Sequence, residues 1–70
     1  MKQEELMRRL QVGIKALESV ELDLAEKEFR SILAVNETEI HSLHFLGVTL
    51  SEKGDISNAT TLIERSISID

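Results

Sequence analysis

Cysteine, proline, tryptophan and tyrosine are all absent from this 70-residue chain. Without cysteine, neither a disulfide framework nor a thiolate metal site can hold so small a fold together. Without proline, helices run on until a glycine or a polar turn stops them. The aromatics are limited to Phe29 and Phe45, too few for a sandwich or barrel core and too few for a platform that stacks nucleic-acid bases. No apolar run reaches the ~18–20 residues of a membrane span. The opening Met1-Lys2-Gln3-Glu4-Glu5 lacks the apolar stretch of a signal peptide, so the cytoplasm is the expected compartment. Basic residues are also in deficit. Thirteen acidic against eight basic side chains give a net charge of −5, a surface that repels phosphate backbones, and nucleic acid is not an expected partner. A chain of this length makes one small domain, or a fragment of something larger, and buries only about 60% of its unfolded surface.

What is present is helical periodicity from end to end. In His41–Asp70 the residues Leu43, Leu46, Gly47 and Leu50 recur at spacings of three and four, then Ile56, Ala59, Ile63, Ser66 and Ile67 do the same. Between them stands Lys53-Gly54-Asp55. Gly54 is suited to the left-handed conformation that closes a helix, and Asp55 to capping the next one. The first half follows the same plan. Leu6, Met7, Leu10, Ile14 and Leu17 line one helix from Gln3 to about Glu18, and Leu22, Ala25, Phe29, Ile32 and Leu33 line a second ending near Val35. The turn between them, Ser19-Val20-Glu21, carries no glycine and its boundary is poorly marked. Asn36-Glu37-Thr38-Glu39 has the form of a capping box, with Asn36 as the cap and Glu39 reaching back to it. That places a third helix at about Glu37 to Glu52 and a fourth at about Ile56 to Ile69. No strand-like alternation and no low-complexity linker interrupts them.

The two halves register when Gly13 is laid on Gly47. Glu18 then falls on Glu52, Leu22 on Ile56, Ala25 on Ala59, Phe29 on Ile63, Leu33 on Ile67 and Asn36 on Asp70. The separation of Gly13 from Ala25 is the same as that of Gly47 from Ala59. A mid-helix glycine costs about 1 kcal/mol relative to alanine. Either each small pair lets two helices approach closely, or the glycines are merely tolerated. A period of about 34 residues, with two helices in each period, is the mark of a helical repeat.

On these residues the chain resembles the tetratricopeptide repeat family. The second copy sets Leu43, Leu46-Gly47, Leu50, Ala59, Ile63, Ser66 and Asp70 at the motif positions; the first sets Val12-Gly13, Ala16, Ala25-x-x-x-Phe29 and Asn36 there. The first copy departs from the pattern. Arg9 and Ala16 occupy places usually held by large apolar residues, Ile32 one usually small, and Glu37 stands where proline is usual. The resemblance implies an all-α fold: two antiparallel helix-turn-helix hairpins, 1–36 and 37–70, stacked as a short right-handed superhelix. It also implies a partner-binding groove along the first helix of each hairpin. That surface would include Met7, Leu10, Ile14 and Leu17, then His41, His44, Phe45, Val48 and Glu52. The places where some members clamp a peptide carboxylate hold Leu10, Ile14 and Phe45, so the resemblance favours an apolar helix or extended segment as ligand. For Leu10 and Ile14 a purely core role weighs equally; Phe45 and His44 are read as partner contacts.

A short stack needs cover at its ends. The last helix is therefore expected to expose part of Leu62, Ile63, Ile67 and Ile69, a surface for self-association or for a neighbouring repeat. Glu37, His41 and His44 fall on one helical face and could hold zinc weakly, but solvated groove histidines are the simpler reading. There is no glycine-rich phosphate loop and no nucleophile–base pattern among Ser57, Thr60, Thr61 and Ser66. No cofactor and no enzymatic activity are expected. The functional reading is a non-catalytic protein-binding module. The alternatives are a homodimerising structural element, or the N-terminal region of a larger bacterial transferase or hydroxylase.

Overall fold

The computed structural model describes residues 1–69 and consists of four helices: α1 (Gln3–Glu18), α2 (Leu22–Val35), α3 (Ile40–Glu52) and α4 (Ile56–Ile69). The described residues contain no strand, and the fold is all-α. The radius of gyration is 11.0 Å, the value of about 11 Å expected for a compact chain of this length. No described helix is long and apolar enough to cross a membrane. Packing follows chain order: α1 lies on α2, α2 on α3 and α3 on α4, with a lighter contact between α1 and α3.

The two tight turns close with the same hydrogen bonds. After α1, the Val20 amide donates to the Leu17 carbonyl (3.0 Å) and the Glu21 amide to the Ala16 carbonyl (2.8 Å); after α3, Gly54 donates to Ser51 (3.0 Å) and Asp55 to Leu50 (2.8 Å). Each donor and acceptor of the first turn is the register counterpart of one in the second. This is the double bond of a Schellman closure, which consumes the last free carbonyls of a helix and sets one residue in the left-handed region. Gly54 occupies it at φ 91° and Val20 at φ 59°. The turn without a glycine is therefore built like the one with it, a valine carrying the conformation that glycine carries later.

The start of α3 differs from the capping box expected. Glu39, not Asn36, is the N-cap residue, and the helix begins at Ile40. The Glu39 carboxylate accepts from the Ser42 amide (2.8 Å), the His41 amide (3.2 Å) and the Ser42 hydroxyl (2.7 Å). Three bonds to one carboxylate, two of them from the fully buried Ser42, outweigh the single cap that Asn36 would supply. Asn36 instead accepts from the Thr38 hydroxyl (3.3 Å) in the preceding turn. Its register counterpart, Asp70, lies outside the described residues.

The core is continuous through all four helices: Leu6, Leu10 and Ala16 from α1, Ala25, Phe29 and Ile32 from α2, Leu46 and Leu50 from α3, and Ala59 from α4. Both mid-helix glycines sit at close approaches. A Cβ on Gly13 would lie 2.6 Å from the Phe29 ring; one on Gly47 would lie 2.6 Å from Ile63 Cγ1 and 3.1 Å from the Ala59 carbonyl oxygen. Gly47 therefore meets the Ala59 backbone as the spacing suggests. In both copies, however, the side chain that fills the gap lies one turn beyond the alanine. These are Phe29 and Ile63, which are themselves register partners.

Candidate interaction surface

Two polar clamps hold the helices in register around the surfaces that remain open. Arg9 on α1 bonds Glu5 (3.2 Å) along its own helix and reaches across to Glu28 (3.5 Å) and Ser31 (3.3 Å) on α2. Lys53, just after α3, bonds Asp23 (2.7 Å) and Glu26 (2.8 Å) near the start of α2, and Glu26 also accepts from Arg30 (2.7 Å). The hydrogen bonds from Lys53 and then Arg30 hold the Glu26 carboxyl below its ordinary range. Those to Asp23 and Glu26 raise the Lys53 ammonium above its own.

Open clefts also mark the surface. One, of about 520 Å³, lies between α1 and the entry to α3, and is lined by Leu6, Met7 and Leu10 on one side and by Asn36, Thr38, Glu39, Ile40 and His41 on the other. A second, of about 370 Å³, is formed by Ile40, His41 and His44 of α3 with Ser66 and Ile67 of α4. Ile40 and His41 belong to both.

The residues expected to line a groove divide three ways. Leu10 is buried, 7% exposed, and belongs to the core. Ile14, Leu17 and Phe45 are half-buried against that core. Phe45 stacks on Phe29 with ring centroids 6.0 Å apart and takes the edge of His44 at 5.1 Å. Its first role is thus to join α3 to α2, which the spacing of apolar residues alone does not reveal. Val48 is half-buried, and His41, His44 and Glu52 are exposed.

The four residues of the last helix have different surroundings. Leu62 faces a cleft with Arg30, Leu33 and Leu43, and Ile63 lies under Gly47. Ile67 borders the histidines of α3. Ile67 and Ile69 are exposed at 69% and 44%. Glu37, His41 and His44 are not gathered into a metal site: among the described residues no three His, Asp or Glu side chains lie close enough to hold an ion. Glu37 instead offers its carbonyl to Arg65 (3.4 Å).

No family model matches the chain, and no curated protein or solved structure matches it either.

Proposed function

We propose that this chain is a non-catalytic protein-binding module of tetratricopeptide type, two stacked helical hairpins whose first helices frame a binding groove. The observation that carries the reading is the equivalence of the two halves. The turn bonds, the left-handed residue and the glycine close approach all recur at matching register positions. Two equivalent hairpins set their first helices side by side, and the cleft between α1 and α3 is the surface that results. Its walls are mixed, with Met7 44% exposed among polar Gln3, Asn36 and Thr38. That composition suits a short segment anchored by one or two apolar side chains with polar contacts around them.

The test begins with selection from a displayed library of short random peptides against the immobilised chain, followed by amide chemical-shift mapping of the enriched sequences. The expected result is shifts at Met7, Thr38, Ile40 and His41, with binding abolished by Met7→Glu and His41→Glu while far-UV circular dichroism stays unchanged. Both positions are exposed, so their loss does not threaten the fold. Phe45→Glu is unsuitable because Phe45 supports the core. Enriched peptides that map elsewhere on the chain would refute the groove.

A further inference from the structure

A further groove shares no residue with the α1–α3 cleft. The helices α2 and α4 do not pack on one another; α3 packs on both and floors the gap between them. Buried Leu43 and Leu46 of α3 lie at its base, with half-buried Leu33 of α2 and Leu62 of α4 beside them, in a cleft of about 320 Å³. Arg30 and Leu62 also border an adjoining cleft of about 250 Å³ with Leu50, Asn58 and Thr61, so the groove continues past them. Two of the chain's four arginines, Arg30 on α2 and Arg65 on α4, line the first cleft, and both are exposed. Arg30 donates from Nε to Glu26 at 2.7 Å, and Arg65 from one Nη to the Glu37 carbonyl at 3.4 Å. The remaining N–H groups of both guanidinium ions have no partner among the described residues. Glu37 lines the cleft as well, so its walls carry two positive charges against one negative, on a protein whose net charge is −5.

We propose that the α2–α4 groove binds a short extended segment of another protein in which one apolar side chain stands between two carboxylates. The apolar side chain sits between Leu33 and Leu62, and the flanking carboxylates meet Arg30 and Arg65. Charge selects this occupant. A guanidinium with free N–H groups takes a carboxylate in a two-bond fork, and a surface acidic overall repels such a segment from sites that lack a pair of arginines. Size sets its conformation: a cleft of about 320 Å³ does not seat a helix about 10–12 Å across, whereas an extended chain lowers one side chain into it. A second copy does not supply the segment. The chain's own run of this kind, Glu21-Leu22-Asp23, lies at the entry to α2, where Asp23 is bonded to Lys53 at 2.7 Å. The groove is a partner surface additional to the α1–α3 cleft, and its test does not depend on that cleft.

The probe is a synthetic peptide with a Glu-Leu-Glu core between glycines, acetylated and amidated so that only its side chains carry charge. It is titrated at low salt into the isotope-labelled intact protein. Saturable amide shifts at Leu33, Ala34, Leu62 and Arg65 are expected. Arg30→Gln and Arg65→Gln should each weaken binding about threefold to fivefold, and the two together about tenfold or more. Circular dichroism should stay unchanged in both, because both side chains are exposed. Met7→Glu, in the other cleft, should leave this affinity as it is, so that failure here and failure of the α1–α3 groove are told apart. Equal affinity for a Gln-Leu-Gln peptide, or for a Glu-Gly-Glu peptide, would overturn the proposal. So would shifts that do not saturate, shifts centred on Met7 and His41, or a dimer in sedimentation equilibrium that Arg65→Gln dissolves, which would give the groove to a second copy.

Discussion

Replacing Val20 with glycine should stabilise this protein, although it removes an apolar side chain and adds backbone freedom. Val20 holds φ 59° in a Schellman turn. An L-residue in that region costs about 1–2 kcal/mol, and a β-branched one sits at the upper end because its Cβ substituents crowd the following carbonyl. Glycine relieves that strain. Against it stand the larger entropy of glycine in the unfolded chain, about 0.5–1 kcal/mol, and the lost burial. Val20 is 67% exposed, so about a third of a valine's burial is forfeited, roughly 0.5 kcal/mol. The balance favours Val20→Gly by about 0.5–1 kcal/mol, a rise in Tm of about 2–8 °C for a domain of this size.

Gly54→Val is the mirror experiment at the equivalent position. No atom lies within 4 Å of the Cβ it would add, so space is not the obstacle; the φ of 91° is. That substitution should cost about 1 kcal/mol or more. Urea unfolding followed by circular dichroism measures both. Val20→Ala is the control: it removes the β-branch yet keeps the Cβ, so it should recover only part of the gain. If Val20→Gly lowers the midpoint, or if alanine and glycine behave alike, the left-handed valine is not a source of strain and the reasoning fails.

Gly13→Ala drives a methyl into the Phe29 ring at 2.6 Å, and Phe29 is fully buried. Overpacking of about 1–3 kcal/mol should exceed the ~1 kcal/mol of helix propensity gained, and pairing it with Phe29→Leu should restore part of the loss in a double-mutant cycle. The Lys53 clamp should also leave a trace in pH. The Glu26 carboxyl is lowered from 4.5 by Lys53 and then Arg30, so its stabilisation is present above 4.5 and lost as pH falls through the depressed folded value. The Lys53 ammonium is raised from 10.5 by Asp23 and then Glu26, so its share is present below 10.5 and lost as pH climbs past the raised folded value. The stability gap between the wild type and Lys53→Met should be widest near neutrality and narrow at both extremes; a gap independent of pH would count against the clamp.

Helix positions were legible in the sequence because the apolar spacing is regular and the chain has no proline to interrupt it. The bounds of α1, α2 and α4 follow from Leu6–Leu17, Leu22–Leu33 and Ile56–Ile67. The entry to α3 was not legible. Asn36 and Glu39 both carry cap chemistry, and only the buried position of Ser42, which adds a hydroxyl bond to Glu39, decides between them. The Val20 turn was hidden because its signal is a backbone conformation that valine rarely adopts. It becomes visible only when Val20 is laid on Gly54. The core contact of Phe45 was hidden for a different reason. Helical periodicity separates inside from outside on one helix, but it does not tell which neighbour will cover a residue on the boundary, and α2 brings Phe29 there.

The differences between the halves follow from the same distinction. Contacts inside each helical pair are kept: glycine opposite a large side chain, a buried alanine on the second helix, the same turn bonds. Positions that face out of a pair diverge with what lies beyond them. Leu43 packs between α2 and α4 and is 1% exposed, whereas Arg9, with nothing beyond it among the described residues, is ion-paired. Ile32 is fully buried under α3, and its counterpart Ser66, which no later described helix covers, turns its hydroxyl back to the Ile63 carbonyl at 2.8 Å. A hydroxyl satisfied within its own helix tolerates either solvent or a covering helix, because it leaves no donor stranded when water is removed. Ile67 has no such arrangement. At 69% exposure it is stabilised only when apolar surface is laid over it, so it contributes least to the described fold among the apolar residues of α4.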